Sequence, residues 1–115
     1  YKPKQTLPTT SMKSTQRYTV KTIKTHEYEM ANICDEELLD TIIKGGGHEM
    51  HISQEYFGGA LVGEKEALEL IRSSAIVNLV GDRIVGRVLK ANLASRQAVK
   101  RIGSTSFLMI FKFRR

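Results

Sequence analysis

The sequence predicts an α/β (α+β) fold: a small mixed sheet with about three helices in a single compact domain. Three observations carry this expectation. Runs rich in β-branched and aromatic residues lie at both ends of the domain, segments with helical apolar spacing lie between them, and 115 residues with 41% hydrophobic content suffice for one core but not two.

The elements follow in chain order. Residues 1–16 hold Pro3, Pro8 and many Ser and Thr, with only Leu7 and Met12 as aliphatic candidates for burial, and are expected to form a basic extended arm. The domain then occupies residues 17–115. In "RYTVKTIKT" and "EYEMANIC" the alternation predicts two strands joined by a hairpin near His26. "CDEELLDTIIKGGG" carries the marks of a helix: Asp35 as N-cap, acids in the first turn, Leu38, Leu39, Ile42 and Ile43 on one face, Lys44 in the last turn and Gly45 beyond. "HEMHIS" predicts a short strand with Met50 and Ile52 inward, followed by a loop through Tyr56 and Gly59. A second helix is expected from about Glu64 to Arg72, burying Ala67, Leu68 and Ile71. "AIVNLVG" predicts a buried strand, and Asp82 is expected to cap a third helix with Ile84, Val85, Val88 and Leu89 on its apolar side. The last strand, "SFLMIFKFRR", sets Phe107, Met109, Phe111 and Phe113 against Leu108, Ile110, Lys112 and Arg114.

Charge is segregated along this chain. Residues 1–26 hold six basic residues and no acid, residues 27–82 hold all twelve acids against three basic residues, and residues 83–115 hold nine basic residues and no acid. The three blocks carry +6, −9 and +9, giving the net +6. An acid-free basic block meets polyanionic phosphate without carboxylate repulsion, and counterion release strengthens such contact. The candidate RNA-binding residues are therefore Lys2, Lys4, Lys13, Arg17, Lys21 and Lys24 in the first block. In the last block they are Arg83, Arg87, Lys90, Arg96, Lys100, Arg101, Lys112, Arg114 and Arg115. Among them Arg83, Arg87 and Lys90 recur at helical spacing and form one stripe. The alternative reading pairs the acidic middle with the two ends inside the molecule.

Several kinds of chemistry fail on inspection. "GGALVGEKE" approaches the G-x-x-x-x-G-K-[ST] phosphate loop, but Glu64 stands where the lysine should be and Glu66 offers no hydroxyl for magnesium. The glycines there suit turns or close backbone approach, with Tyr56 and Phe57 as packing anchors. His48 and His51 are three apart, which on a strand turns them to opposite sides, so no metal site is expected. Cys34 is the only cysteine, excluding an internal disulfide, and reads as a small buried hydrophobe. No catalytic constellation emerges, and no cofactor or small-molecule substrate is expected. No apolar run approaches the ~20 residues of a membrane span and no signal peptide is recognisable, so the expected location is the cytoplasm without membrane contact. Tyr1 in place of methionine leaves room for residues upstream.

The blocks "CDEELLD", "ISQEYFGGALVGEKEALELI", "NLVGDRIV" and "RIG", in this order, resemble a small archaeal family known as domain of unknown function four-two-four. The resemblance covers most of residues 20–110. It implies a compact α/β domain with no established catalytic residues, and members that accompany the archaeal translation machinery. The basic arm and basic C-terminal third depart from the family pattern in the direction expected of a chain held on ribosomal RNA. The expectation is thus a non-enzymatic archaeal ribosome-associated or ribosomal protein, more readily of the small subunit, whose partners are ribosomal RNA, neighbouring ribosomal proteins and initiation factors. Two other readings are an adaptor that meets a basic protein through the acidic middle, and a small enzyme acting on nucleotide or RNA.

Overall fold

The computed structural model describes residues 17–112. The arm, with Lys2, Lys4 and Lys13, and the terminal Arg114 and Arg115 lie outside the described residues.

Among the described residues, eight strands and three α-helices make an α+β domain. In chain order these are β1 (Tyr18–Lys24), β2 (Glu29–Asp35), β3 (Ile42–Gly45), β4 (His48–His51), α1 (Gln54–Phe57), β5 (Ala60–Val62), α2 (Glu64–Ser73), β6 (Ile76–Val80), α3 (Asp82–Lys90), β7 (Lys100–Ile102) and β8 (Thr105–Phe111). Six strands form one mixed sheet in the order β5-β1-β2-β6-β8-β7, and β3 with β4 forms a separate hairpin. Only β2 and β6 run parallel; every other pairing is antiparallel. Both edges, β5 and β7, are three residues long. Such short edges offer little backbone for pairing with another chain. No helix among the described residues is long and apolar enough to cross a membrane.

Strand alternation divides the apolar residues between two cores. Tyr18, Val20, Ala31, Ile33, Val77, Leu79 and Leu108 point to one face, where they meet Ala67 and Ile71 of α2 and Ile84, Val85 and Val88 of α3. On the other face Cys34 and Val80 lie under the β3–β4 hairpin and α1, packed with Ile43, Ile52 and Phe57. The hairpin and α1 cover one end of this second face. Beyond them the sheet is open, and Ile23, Met109 and Phe111 are exposed there.

The largest correction concerns the helix expected over residues 35–44. Only a 3-10 turn, Glu36–Leu38, forms there, and Ile42 to Gly45 become β3. Asp40 adopts a positive φ of 71°, which ends any helical continuation. Gly46 and Gly47, with φ of 57° and 81°, then supply the two-residue turn that favours a hairpin. Gly45 is therefore the last residue of a strand rather than the residue beyond a helix. The apolar positions that mimicked a helix face are divided: Ile43 is buried across from Met50, whereas Ile42 is exposed across from His51.

Asp35 is also employed differently. Its side chain makes no cap for the 3-10 turn. Instead its two oxygens accept from the backbone N–H groups of Arg83 and Ile84, each at 3.0 Å, and so cap α3 from across the sheet. Asp82, expected as that cap, instead accepts from the N–H of Ser106 on β8 at 3.0 Å. Between them Gly81 occupies φ 125°, a conformation open essentially to glycine alone, and a Cβ there would overlap the Asp35 carboxylate. The segment that approached a phosphate loop is likewise reassigned, since β5 runs between Gly59 and Gly63.

Candidate nucleic-acid interface

The third helix forms where expected and carries Arg83, Arg87 and Lys90 on it. The fold brings carboxylates from elsewhere in the chain against two of them. Arg83 lies 3.0 Å from Glu37, and Arg87 lies 3.3 Å from Glu64. Arg83 also donates to the carbonyl of Arg17 at 3.0 Å and sits 5.3 Å above the Tyr18 ring. The stripe that lacks carboxylates along its own helix thus acquires them by tertiary packing. These pairs are partly exposed and each contributes only about 0–1 kcal/mol to stability. Their effect on binding is larger in kind, because an arriving phosphate must compete with a carboxylate already in place.

Other predicted cations are engaged by backbone. Lys112 donates to the carbonyls of Ile71 and Arg72, at the last turn of α2, where a positive charge suits the helix dipole. Burial pushes its ammonium below the usual lysine range. Arg101 donates to Ser106 Oγ at 3.0 Å and to the Ser104 carbonyl at 2.6 Å, bracing the β7–β8 turn. In contrast Lys21, Lys24, Lys90, Arg96 and Lys100 form no ion pair among the described residues. A cleft of about 450 Å³ between α3 and β7 is lined by Arg96, Arg101 and Asp82, while Lys100 lines a different cleft with His48 and Met50.

The open face of the sheet supplies a surface that charge counting missed. Strand register places Lys21, Asn32, Asn78 and Met109 in one row across β1, β2, β6 and β8. Asn78 Nδ2 donates to Asn32 Oδ1 at 2.8 Å, and Asn32 Nδ2 donates to the Tyr56 carbonyl at 3.0 Å. A cleft of about 240 Å³ opens above this amide pair, walled by Met50, His51, Tyr56 and Phe107. Tyr56 and Phe57, expected as two anchors, part company here: Phe57 is buried, while Tyr56 is 57% exposed. Ser53 caps the single turn of α1 by accepting from the Tyr56 N–H at 3.3 Å, and of that turn's residues Phe57 is buried while Gln54, Glu55 and Tyr56 are exposed.

The remaining titratable groups belong to the core. Burial pushes the Cys34 thiol up to about 11, an effect partly offset by its 3.0 Å contact with the Thr19 hydroxyl. Such a thiol is a structural hydrophobe and not a nucleophile at neutral pH. Burial also raises the Asp35 carboxyl, against the opposing pull of the Arg83 and Ile84 N–H groups, and raises the Tyr18 hydroxyl against the charge of Arg83. Among the described residues no cluster of three or more His, Cys, Asp and Glu side chains is placed to hold a metal ion.

Amide pairing between two strands remote in sequence had no sequence signal beyond two asparagines inside apolar runs, a polar residue where burial would otherwise favour an aliphatic one. That anomaly was the available clue, at Asn32 in "EMANIC" and Asn78 in "IVNLV".

Comparison with known proteins agrees with this architecture. A crystal structure of an uncharacterized conserved protein from Methanopyrus kandleri superposes with a TM-score of 0.74 at 22% identity, covering 86% of this chain and 94% of that one. The likeness is one of fold. None of the curated proteins matches the sequence. Residues 23–113 match the family described as "Protein of unknown function (DUF424)", a match that spans most of the domain, and the chain belongs to that family.

Proposed function

We propose that this chain is a non-enzymatic RNA-binding protein of the archaeal translation machinery, held on ribosomal RNA through backbone phosphates. The observation that supports this reading is the charge distribution: two acid-free basic blocks flank an acidic one. The cations that best support this reading are those without a carboxylate partner. Lys21 and Lys24 of the first block and Lys90, Arg96 and Lys100 of the last stand without an ion pair among the described residues, whereas Arg83 and Arg87 are matched by carboxylates. Lys2, Lys4 and Lys13, outside the described residues, belong to the same acid-free first block of the sequence. Phosphate contact fixes position and orientation without reading sequence, so the expected target is a shaped RNA.

The adaptor reading is weakened by the same geometry. Glu37 and Glu64, two of the acids that would meet a basic partner, already face Arg83 and Arg87.

Binding of the full chain to ribosomal RNA fragments, measured across salt concentrations, tests the proposal. Each neutralised phosphate on a duplex contributes about 0.9 to the log–log slope, and the cations named above predict a slope of several units. A flat salt dependence would sink the proposal. Co-sedimentation with ribosomes washed in low and high salt then separates a resident subunit from a transient factor.

A further inference from the structure

We propose that the cleft above the Asn32–Asn78 pair receives one unstacked nucleobase of single-stranded RNA, a finer claim that rests on the RNA-binding reading and adds base contact to it. The hydrogen bonds fix both amides. Because Asn32 must donate through Nδ2 to the Tyr56 carbonyl, its Oδ1 faces Asn78, which must therefore donate through its own Nδ2. Asn78 Oδ1 takes no part in this pair. It is buried and accepts no hydrogen bond among the described residues.

A buried acceptor without a donor is rare in folded proteins and invites a ligand N–H. All four RNA bases carry such a donor on the Watson–Crick edge. The walls suit the rest of a base: Tyr56 and His51 offer aromatic faces, and Met50 and Phe107 offer apolar contact. The volume of about 240 Å³ admits a single ring system rather than a helix or a strand of protein.

Charge selects a nucleotide over a neutral amide ligand. Lys21 is the cross-strand partner of Asn32 and projects from the same face. A second cleft of about 410 Å³ continues past Met50 and Phe107, which line both, and brings in His48 and Lys100. Glu49 is the one carboxylate lining either cleft. A chain whose base enters the first cleft would thus carry its phosphates toward Lys21 on one side and Lys100 on the other. Stacking with hydrogen bonding on an open sheet face is a physical arrangement suited to unpaired RNA, since bases inside a duplex are not accessible to it.

The experiment uses the full-length chain, ¹⁵N-labelled, with single-stranded oligoadenylate, oligocytidylate and oligouridylate, an abasic ribose-phosphate oligomer of equal length, and a duplex ribosomal RNA fragment. The side-chain amide signals of Asn32 and Asn78 are expected to shift with at least one base-bearing single strand and to stay in place with the abasic oligomer. Tyr56→Ala removes an exposed ring and leaves its backbone carbonyl for Asn32. It is expected to weaken the favoured single strand by about 5- to 150-fold, the range for one lost base–aromatic stack, with Tyr56→Phe retaining binding. Duplex binding and its salt slope should be unchanged in both variants. If the abasic oligomer binds as well as the base-bearing ones, or if Tyr56→Ala has no effect while duplex binding persists, the nucleobase site is overturned and the phosphate reading stands. If the native chain binds neither single strand nor duplex, both readings fall together.

Discussion

On the helix-covered side of the sheet, Arg83 and Arg87 lie against Glu37 and Glu64, whereas on the opposite face Lys21 and Lys100 flank an amide pair with no carboxylate bonded to them among the described residues. The two sides also differ in packing. The helix side is filled by α2 and α3 over a continuous apolar core, while the hairpin β3–β4 and α1 roof only one end of the other. The comparison teaches that a count of basic residues along a sequence does not locate a polyanion surface. What matters is which cations the fold leaves unmatched, and beside which polar and aromatic groups it leaves them.

The largest expected effect breaks the junction on which the helix side depends. Gly81 links β6 to α3, with its φ of 125° and the Asp35 carboxylate where a Cβ would be. Gly81→Ala is expected to destabilise the protein by about 3 kcal/mol or more, combining backbone strain with displacement of a cap. Urea unfolding measures it, and a loss under about 1 kcal/mol would mean that the junction relaxes freely.

Asp35 comes next. Asp35→Ala strands the N–H groups of Arg83 and Ile84 at the start of α3, and the expected cost is about 1–3 kcal/mol. Asp35→Asn keeps one acceptor and should cost less. Burial holds the folded-state carboxyl above its ordinary value, so the folded chain binds a proton more tightly than the unfolded one. Stability contributed through Asp35 therefore falls as pH rises from the ordinary carboxylate value through the raised one. Relative to Asp35→Asn, the native chain should lose stability over that interval, and a relative gain would show that the N–H bonds outweigh burial.

How much of this was legible beforehand follows from the range of the interactions involved. The first hairpin, the helix from Glu64, the strand "IVNLV" and the last strand rest on local periodicity, and they stand where the sequence places them. The stretch from Asp35 to Gly45 carried the cap, acids and apolar spacing of a helix, yet Asp35 answered to a distant partner, capping a helix 48 residues on, and the glycines after Lys44 serve a local hairpin instead of a helix end. The three-residue strands β5 and β7 are too short for alternation to register. For the candidate site the cations were visible and their pairing was not, because Glu37 and Glu64 reach Arg83 and Arg87 only through tertiary packing. The Asn32–Asn78 contact likewise spans 46 residues.

Smaller effects separate the two sides as binding surfaces. Lys21→Ala and Lys100→Ala should each lower the salt slope of RNA binding by about 0.7–0.9, one phosphate apiece. Arg83→Ala should change it by much less, since its charge is already balanced by Glu37. Equal losses from all three would erase the distinction between matched and unmatched cations.

The smallest expected effect on stability gives the sharpest test of that distinction. Glu37→Gln with Glu64→Gln removes two partly exposed ion pairs, which together cost about 2 kcal/mol at most and are screened by salt. The fold should persist, and Arg83 and Arg87 should be released on the helix side. If carboxylate pairing is what reserves that side, the double variant should bind duplex RNA more tightly, with a salt slope raised by up to about 1.8 for the two arginines. The Asn32 and Asn78 amide signals should respond to single strands as before, because neither glutamate touches their cleft. An unchanged slope would mean that phosphate already displaces Glu37 and Glu64 in the native chain, and the whole stripe of Arg83, Arg87 and Lys90 would then rejoin the interface.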